Sequence, residues 1–193
     1  HLQAGTILGI MSKYEEAKGE LDLVIKNFPK SNFVDEAVFQ KAQLEFEQGN
    51  YAVAVSGYSQ LIQSYTTSPL VPYAHTRRAA SYYNLKEYDK TAQDYIAVLQ
   101  NYGGHPASND ILIPLQEALN LAGRSTEFDQ YLAQYKSAHP DAKGVESVEF
   151  ETAKNLYFNQ EYERAIAALT RYGQTYPESP RLSEANYYQA ECY

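Results

Sequence analysis

The stretch ALTRYGQTYPESP (residues 168–180) passes from a helix-like segment into a loop that contains Pro177. Proline has no backbone N–H and interrupts an α-helix, so a helix is predicted to end just before this residue. The stretch LVIKNFPKS (residues 23–31) ends in the same way at Pro29. Pro177 follows Pro29 by 148 residues, which is four steps of 37, and Pro140 lies one such step before Pro177. The chain is therefore predicted to repeat every 37 residues.

Six other positions recur at this spacing, and no insertion or deletion is needed to align them. One column is aromatic except in the fourth unit, and another is small except in that same unit. The first consists of Tyr14, Tyr51, Tyr88, Ser125 and Tyr162, and the second of Gly5, Ala42, Ala79, Gln116, Ala153 and Ala190. Six columns in phase indicate a repeat array whose fourth unit is degenerate.

Within a unit, the apolar residues are spaced as on one face of a helix. Tyr14, Ala17 and Leu21 recur at intervals of three and four residues. Gly49 and Asn50 favour a tight turn, because both residue types accept a left-handed backbone. Each unit is thus predicted to be two helices followed by a longer loop. First helices are expected near 1–11, 34–48, 71–85, 110–122, 145–159 and 182–193, and second helices near 13–27, 50–64, 87–101, 125–138 and 161–175.

The composition excludes several classes of protein. The 193 residues carry a net charge of −8 with a pI near 5.0, which argues against a nucleic-acid partner because binding phosphate requires a basic surface. No apolar run approaches the roughly 20 residues of a membrane helix, so no direct membrane insertion is expected. The single cysteine, Cys192, excludes a disulfide within the chain.

The sequence offers no arrangement typical of catalysis. The four histidines are scattered without metal-ligand spacing. The stretch NYGGHP (101–106) lacks the strand before it and the lysine after it that a phosphate-binding loop requires. We therefore predict that the chain is not an enzyme and has no catalytic residue, metal or cofactor.

The spacing Ala17-x3-Leu21 with Pro29, repeated as Ala165-x3-Leu169 with Pro177, resembles the tetratricopeptide repeat. The resemblance covers essentially the whole chain and implies an all-α, right-handed superhelical solenoid of helix-turn-helix repeats. The units would be 1–33, 34–70, 71–107, 108–144, 145–181 and the start of another at 182–193. The step of 37 residues resembles the repeats of bacterial envelope proteins, such as the barrel-assembly lipoprotein and the periplasmic partner of Tol–Pal. This implies a periplasmic or envelope location, with a cytoplasmic one left open.

The resemblance also implies that the first helices line a concave groove that binds a protein or peptide. Aromatic residues on such a wall supply large contact area, and the acidic balance favours a neutral or basic partner. The expected partner-binding residues are Phe39, Gln43, Phe46, Tyr73, Thr76, Tyr83, Asn84, Phe150, Lys154, Tyr157 and Phe158.

Two alternatives to a binding scaffold remain open at this point. The chain begins and ends within first helices and shows no polar capping repeat, so it is expected to be a segment of a longer protein. Its uncapped ends would allow self-association, and the array would then be a structural or oligomerisation arm. It could equally be the accessory solenoid of a larger enzyme that acts on cell-wall glycan.

Overall fold

The computed structural model describes residues 1–108, 110–140 and 144–193, and these residues form eleven α-helices and no strand. The helices are α1 (Leu2–Ile10), α2 (Tyr14–Asn27), α3 (Val34–Glu47), α4 (Tyr51–Ser64), α5 (Val71–Asn84), α6 (Tyr88–Tyr102), α7 (Leu112–Leu121), α8 (Phe128–Ala138), α9 (Val145–Phe158), α10 (Tyr162–Thr175) and α11 (Leu182–Glu191). Single turns of 3-10 helix, Pro106–Ser108 and Ser125–Glu127, precede α7 and α8. The predicted all-α class is confirmed.

The helices stack in chain order into a solenoid. Each helix packs mainly on its sequence neighbours, so α3 contacts α4 and α4 contacts α5. The odd-numbered, or first, helices also touch each other across units, as α3 touches α5 and α9 touches α11. No pair of second helices in the described part of the chain makes comparable contact. Helices that touch across units lie closer to the axis of the superhelix than helices that do not. The first helices therefore form the inner wall.

A left-handed residue joins the helices of every hairpin. The backbone φ is positive at one residue in each turn, and the positions keep the 37-residue step: Ser12, Gly49, Lys86, Gly123 and Gln160. The next residue then donates its N–H to the carbonyl five positions back, at 2.9 Å both for Asn50 to Glu45 and for Glu161 to Leu156. Glycine tolerates this conformation without steric cost, whereas other residues do not.

Replacing Gln160 by glycine is expected to stabilise the protein by about 0.5–1 kcal/mol. Relief of the left-handed strain contributes about 1–2 kcal/mol, and the greater freedom of glycine in the unfolded chain offsets about 0.5–1 kcal/mol of it. Urea denaturation measures the change. Gln93→Gly, at an exposed site within α6, is the control and should destabilise by about 1 kcal/mol. A similar loss of stability in Gln160→Gly and Gln93→Gly would show that Gln160 is not under left-handed backbone strain.

The longer loops between units share a serine that holds them together. Ser31, Ser68 and Ser179 lie on the 37-residue step, and each Oγ accepts the backbone N–H two residues later, at 3.1–3.3 Å. At the equivalent position His105 accepts the N–H of Ala107 through Nδ1, at 3.1 Å. The Ser68 hydroxyl also donates to Asp35, and the Ser179 hydroxyl to Glu146 at 2.6 Å. These bonds tie a loop back to the first helix of its own unit.

The column of small residues marks a close approach within the hairpin. A Cβ added to Gly57 on α4 would lie 2.7 Å from the Cβ of Ala42 on α3, so neither position has room for a larger side chain. The fourth unit places Gln116 in this column, and its side chain is buried. Its amide donates to the Thr152 carbonyl at 3.1 Å and accepts from Asn155 at 2.9 Å. The degenerate fourth unit thus buries a polar side chain in this column, and its hydrogen bonds run to α9.

A buried charged network connects three helices in the middle of the array. The Arg78 guanidinium on α5 binds both carboxylate oxygens of Asp94 on α6, at 2.7 and 2.8 Å. It also donates to the Ser59 hydroxyl on α4 at 2.9 Å. His75 Nδ1 lies 2.7 Å from the same carboxylate. Burial lowers the pKa of Arg78, but the hydrogen bonds and charge of Asp94 outweigh that effect and raise it.

Candidate binding surface

The predicted partner-binding residues lie on α3, α5 and α9, but their surroundings differ. Three are exposed, seven are half-buried and one is buried. The exposed residues are Tyr73, Asn84 and Phe158; the half-buried ones are Phe39, Gln43, Phe46, Thr76, Tyr83, Lys154 and Tyr157; the buried one is Phe150. The predicted binding surface along the first helices is therefore exposed to solvent at some residues and covered by neighbouring side chains at others.

The prediction that Phe150 faces an open groove is wrong. Its side chain is only 1% exposed, and its ring lies 5.5 Å from that of Tyr172 on α10. Phe39, three repeats upstream in the same column, packs on Tyr58 of α4 at 5.6 Å in the same way and is half-buried. Both rings thus face the second helix of their own hairpin, which covers Phe150 fully and Phe39 in part.

A second set of predicted aromatics packs across the tight turns. Each contacts the tyrosine that begins the following second helix. The pairs are Phe46 with Tyr51 at 5.3 Å, Tyr83 with Tyr88 at 5.6 Å and Tyr157 with Tyr162 at 6.1 Å. Edge-to-face and tilted ring pairs of this kind stabilise a turn. These residues therefore have a structural role as well as a partly exposed surface.

Tyr83 also links two first helices. Its hydroxyl donates to Glu117 on α7 at 2.6 Å, and this hydrogen bond, with burial and the charge of the carboxylate, raises the pKa of Tyr83 to about 12.

The predicted polar residues of α3 and α5 form hydrogen bonds within the protein. On α3, Gln43 accepts from the Tyr58 hydroxyl at 2.9 Å and donates to Glu47 at 3.1 Å. Thr76 and Asn84 donate to carbonyls of their own helix. The inner wall at α3 and α5 is thus mainly a hydrogen-bonded surface.

Between α1 and α3 this wall encloses a groove of about 260 Å³. Its polar lining comes from Thr6, Gln40, Gln43 and Glu47. Thr6 donates to Gln40 across the two helices at 2.8 Å. The groove therefore offers amide and carboxylate groups rather than aromatic rings.

The aromatic rings gather at the other end of the array. We call Tyr157, Phe158, Tyr162 and Tyr188 the aromatic platform. The Tyr157 ring lies 5.2 Å from Phe158 and 5.1 Å from Tyr188, and Phe158 lies 5.7 Å from Tyr188. Lys154 Nζ stands 5.7 Å from the centre of the Tyr188 ring and 3.4 Å from a Glu184 oxygen. The platform brings together two predicted residues of α9, Tyr157 and Phe158, with Tyr162 of α10 and Tyr188 of α11.

The exposure of Phe158 is a property of its repeat position. It is 61% exposed, and Leu121, the equivalent residue of the interior helix α7, is 48% exposed. The exposure of Tyr187 has a different origin. The equivalent residues Phe39 and Phe150 pack on the second helices of their hairpins, but no described helix lies against that side of α11. Its exposure is therefore not counted toward the platform.

Sequence reasoning missed Tyr162 and Tyr188 as surface residues. Tyr162 belongs to the column of Tyr14 and begins α10, and its side chain is also exposed. Tyr188 stands in a column whose other members are polar except for Pro114, so the repeat pattern predicts a polar residue there: Gln3, Gln40, Arg77, Pro114 and Glu151. The adjacent pair Tyr187-Tyr188 was the only signal in the sequence.

The remaining chemistry on the described residues is limited. Burial and the charge of Glu191 raise the pKa of the half-buried Cys192 thiol, which disfavours the nucleophilic thiolate. No three His, Cys, Asp or Glu side chains among residues 1–108, 110–140 and 144–193 lie close enough to share a metal ion. None of the helices in that part of the chain combines the length and apolar character needed to cross a membrane.

Comparison with protein families gives two matches. Residues 36–68 match a tetratricopeptide-repeat model, and residues 116–192 match the model of an outer membrane lipoprotein family. No match was found among curated proteins.

Comparison with solved structures shows the same fold. A putative kinesin light chain from Podospora anserina with TPR-like repeats has a TM-score of 0.63 at 16% identity, covering 93% of this chain and 94% of that one. BtubC from P. vanneervenii has a TM-score of 0.59 at 15% identity, covering 94% and 81%. At these identities the likeness concerns the fold alone.

Proposed function

Because the chain is built from tetratricopeptide repeats, we propose that it is a protein-binding scaffold whose aromatic platform holds a segment of a partner protein. Repeats of this kind generally mediate protein–protein interaction. The observation that carries the proposal is the platform itself, in which an exposed Phe158 stands among three tyrosines. Clustered aromatic side chains that are costly to leave in water are typical of binding sites.

The rest of the inner wall extends this surface toward the N-terminus. We propose that residues 1–193 act as one array, and that Gln43, Tyr73, Thr76 and Asn84 offer polar contacts to the same partner. Tyr73 and Asn84 are exposed, and Gln43 lines the groove between α1 and α3. Polar contacts around an apolar anchor are typical of the rim of an interface.

We propose that the protein acts at a bacterial cell envelope. The support is the match of residues 116–192 to an outer membrane lipoprotein family, together with the 37-residue step noted in the sequence. Fractionation of the cells that produce the protein naturally tests this location. Recovery in the cytosolic fraction alone would contradict it.

The binding role can be tested with peptides selected on the immobilised protein from a random displayed library. Fluorescence anisotropy should show that Tyr157→Ala/Phe158→Ala weakens the selected peptides by roughly 30-fold, since a central aromatic contributes about 2 kcal/mol or more. Phe158→Ala alone serves as a second variant, because Phe158 is the most exposed residue of the platform and its removal should leave the fold intact.

Leu23→Ala/Val53→Ala is the matched control, because both residues are exposed and apolar but lie on second helices. It should bind the peptides as the unmodified protein does, and it should melt at the same temperature as Phe158→Ala. Tyr157→Ala/Phe158→Ala also loses the ring contact between Tyr157 and Tyr162, so it should melt at a lower temperature while remaining folded under the assay conditions. Failure to select any peptide, or equal affinity of the platform and control variants, would contradict the proposed function.

A further inference from the structure

The charges around the aromatic platform are predominantly negative. Glu184 and Glu191 lie on α11, and Glu163 follows Tyr162 in the first turn of α10. Burial and the charge of Glu191 raise the pKa of Tyr157. The platform is therefore an apolar surface with carboxylates beside it on α10 and α11.

The cations near the platform are already engaged by carboxylates. Lys154 pairs with Glu184 at 3.4 Å and lies close to the ring faces of Phe150 and Tyr188. Burial lowers the pKa of Lys154, but the charges of Glu151 and Glu184 outweigh this and raise it. Arg164 on α10 is held by Glu161 and by Asp129, at 3.1 Å for the latter. Neither cation offsets Glu163 and Glu191, which have no ion pair within the described residues.

We infer that the partner segment is basic, with one or two large apolar side chains flanked by lysine or arginine; this rests on the proposed function and specifies its ligand. The apolar side chains cover Tyr157 and Phe158, and the flanking cations face Glu163 and Glu191. Cations also bind favourably to the faces of exposed aromatic rings, which an acidic segment would not do. Complementary charge adds selectivity and association rate to an apolar contact.

Synthetic peptides test this inference. Three peptides share the same leucine and phenylalanine positions and differ only in whether lysine, glutamine or glutamate separates them. Fluorescence anisotropy should show the lysine peptide binding at least roughly 10-fold more tightly than the glutamate peptide, with the glutamine peptide between them. Raising the salt concentration should remove most of this difference, because the carboxylates are solvent-exposed.

Charge reversal at the platform separates a local effect from the net charge of the protein. Glu163→Lys/Glu191→Lys should reverse the order of the lysine and glutamate peptides. The control is Glu15→Lys/Glu16→Lys, which changes the net charge equally at exposed positions of α2 and should keep the original order. Thermal melts of the three proteins show whether each variant remains folded.

The outcomes distinguish the two proposals. If the glutamate peptide binds as tightly as the lysine peptide, or if the control reverses the order as well, a basic partner at the platform is excluded while the binding function stands. If none of the peptides binds, or if all bind equally well to Tyr157→Ala/Phe158→Ala, the platform is not the binding site and the proposed function itself fails.

Discussion

Phe150→Ala is expected to destabilise the protein by about 3–5 kcal/mol, the range found when a buried phenylalanine is truncated. The side chain is 1% exposed and packs on Tyr172, so its removal leaves a cavity between α9 and α10. This core has few other large members, and the loss should therefore be poorly compensated. Urea denaturation, followed by the helical signal in far-ultraviolet circular dichroism, measures the change in the free energy of unfolding.

Phe158→Ala is the matched control, because it removes the same side chain from the same helix. Phe158 is exposed, so this change should alter stability by no more than about 0.5 kcal/mol. It should instead weaken partner binding. If Phe150→Ala unfolds at the same urea concentration as Phe158→Ala, then Phe150 is not a core residue. It would then count again as a residue of the binding groove.

Asp94→Ala should destabilise the protein by a similar amount, about 3–5 kcal/mol, because it leaves a buried cation without its partner. The Arg78 guanidinium makes two hydrogen bonds to this carboxylate, and the side chain of Asp94 is only 5% exposed. His75 would lose its hydrogen-bond partner as well. The thermal midpoint and the free energy of unfolding in urea should both fall.

Asp89→Ala in the same helix separates this effect from a general loss of charge. Asp89 pairs with Arg124 at 3.1 Å, but its side chain is 65% exposed, so removal should cost no more than about 1 kcal/mol. Asp94→Ala/Arg78→Leu removes both charges and should recover part of the stability. If the double variant is no more stable than Asp94→Ala, the unpaired cation is not the cause of the loss.

The repeat period and most helix boundaries were determined by the sequence alone. The exception is α8, which begins at Phe128, because Ser125–Glu127 form a 3-10 turn where the helix was expected to begin. Tyr51, Tyr88 and Tyr162 begin second helices as predicted, and Gly49 has the left-handed backbone expected of it. These features are local, because a turn residue or a helix-starting position is selected by the backbone within a few residues of it. The left-handed geometry of Lys86 and Gln160 was not predicted, since neither residue type favours it and only the repeat position imposes it.

The open part of the binding wall was decided by the tertiary structure. Spacing in the sequence correctly placed Phe150, Lys154 and Tyr157 along one helix, but α10 covers the first of them and leaves the last partly open. Tyr188 joins them only because α11 packs beside α9. Helical periodicity specifies which residues share a face of one helix. The exposure of that face depends on how far each neighbouring helix extends across it, and this is set by the packing of adjacent helices and units.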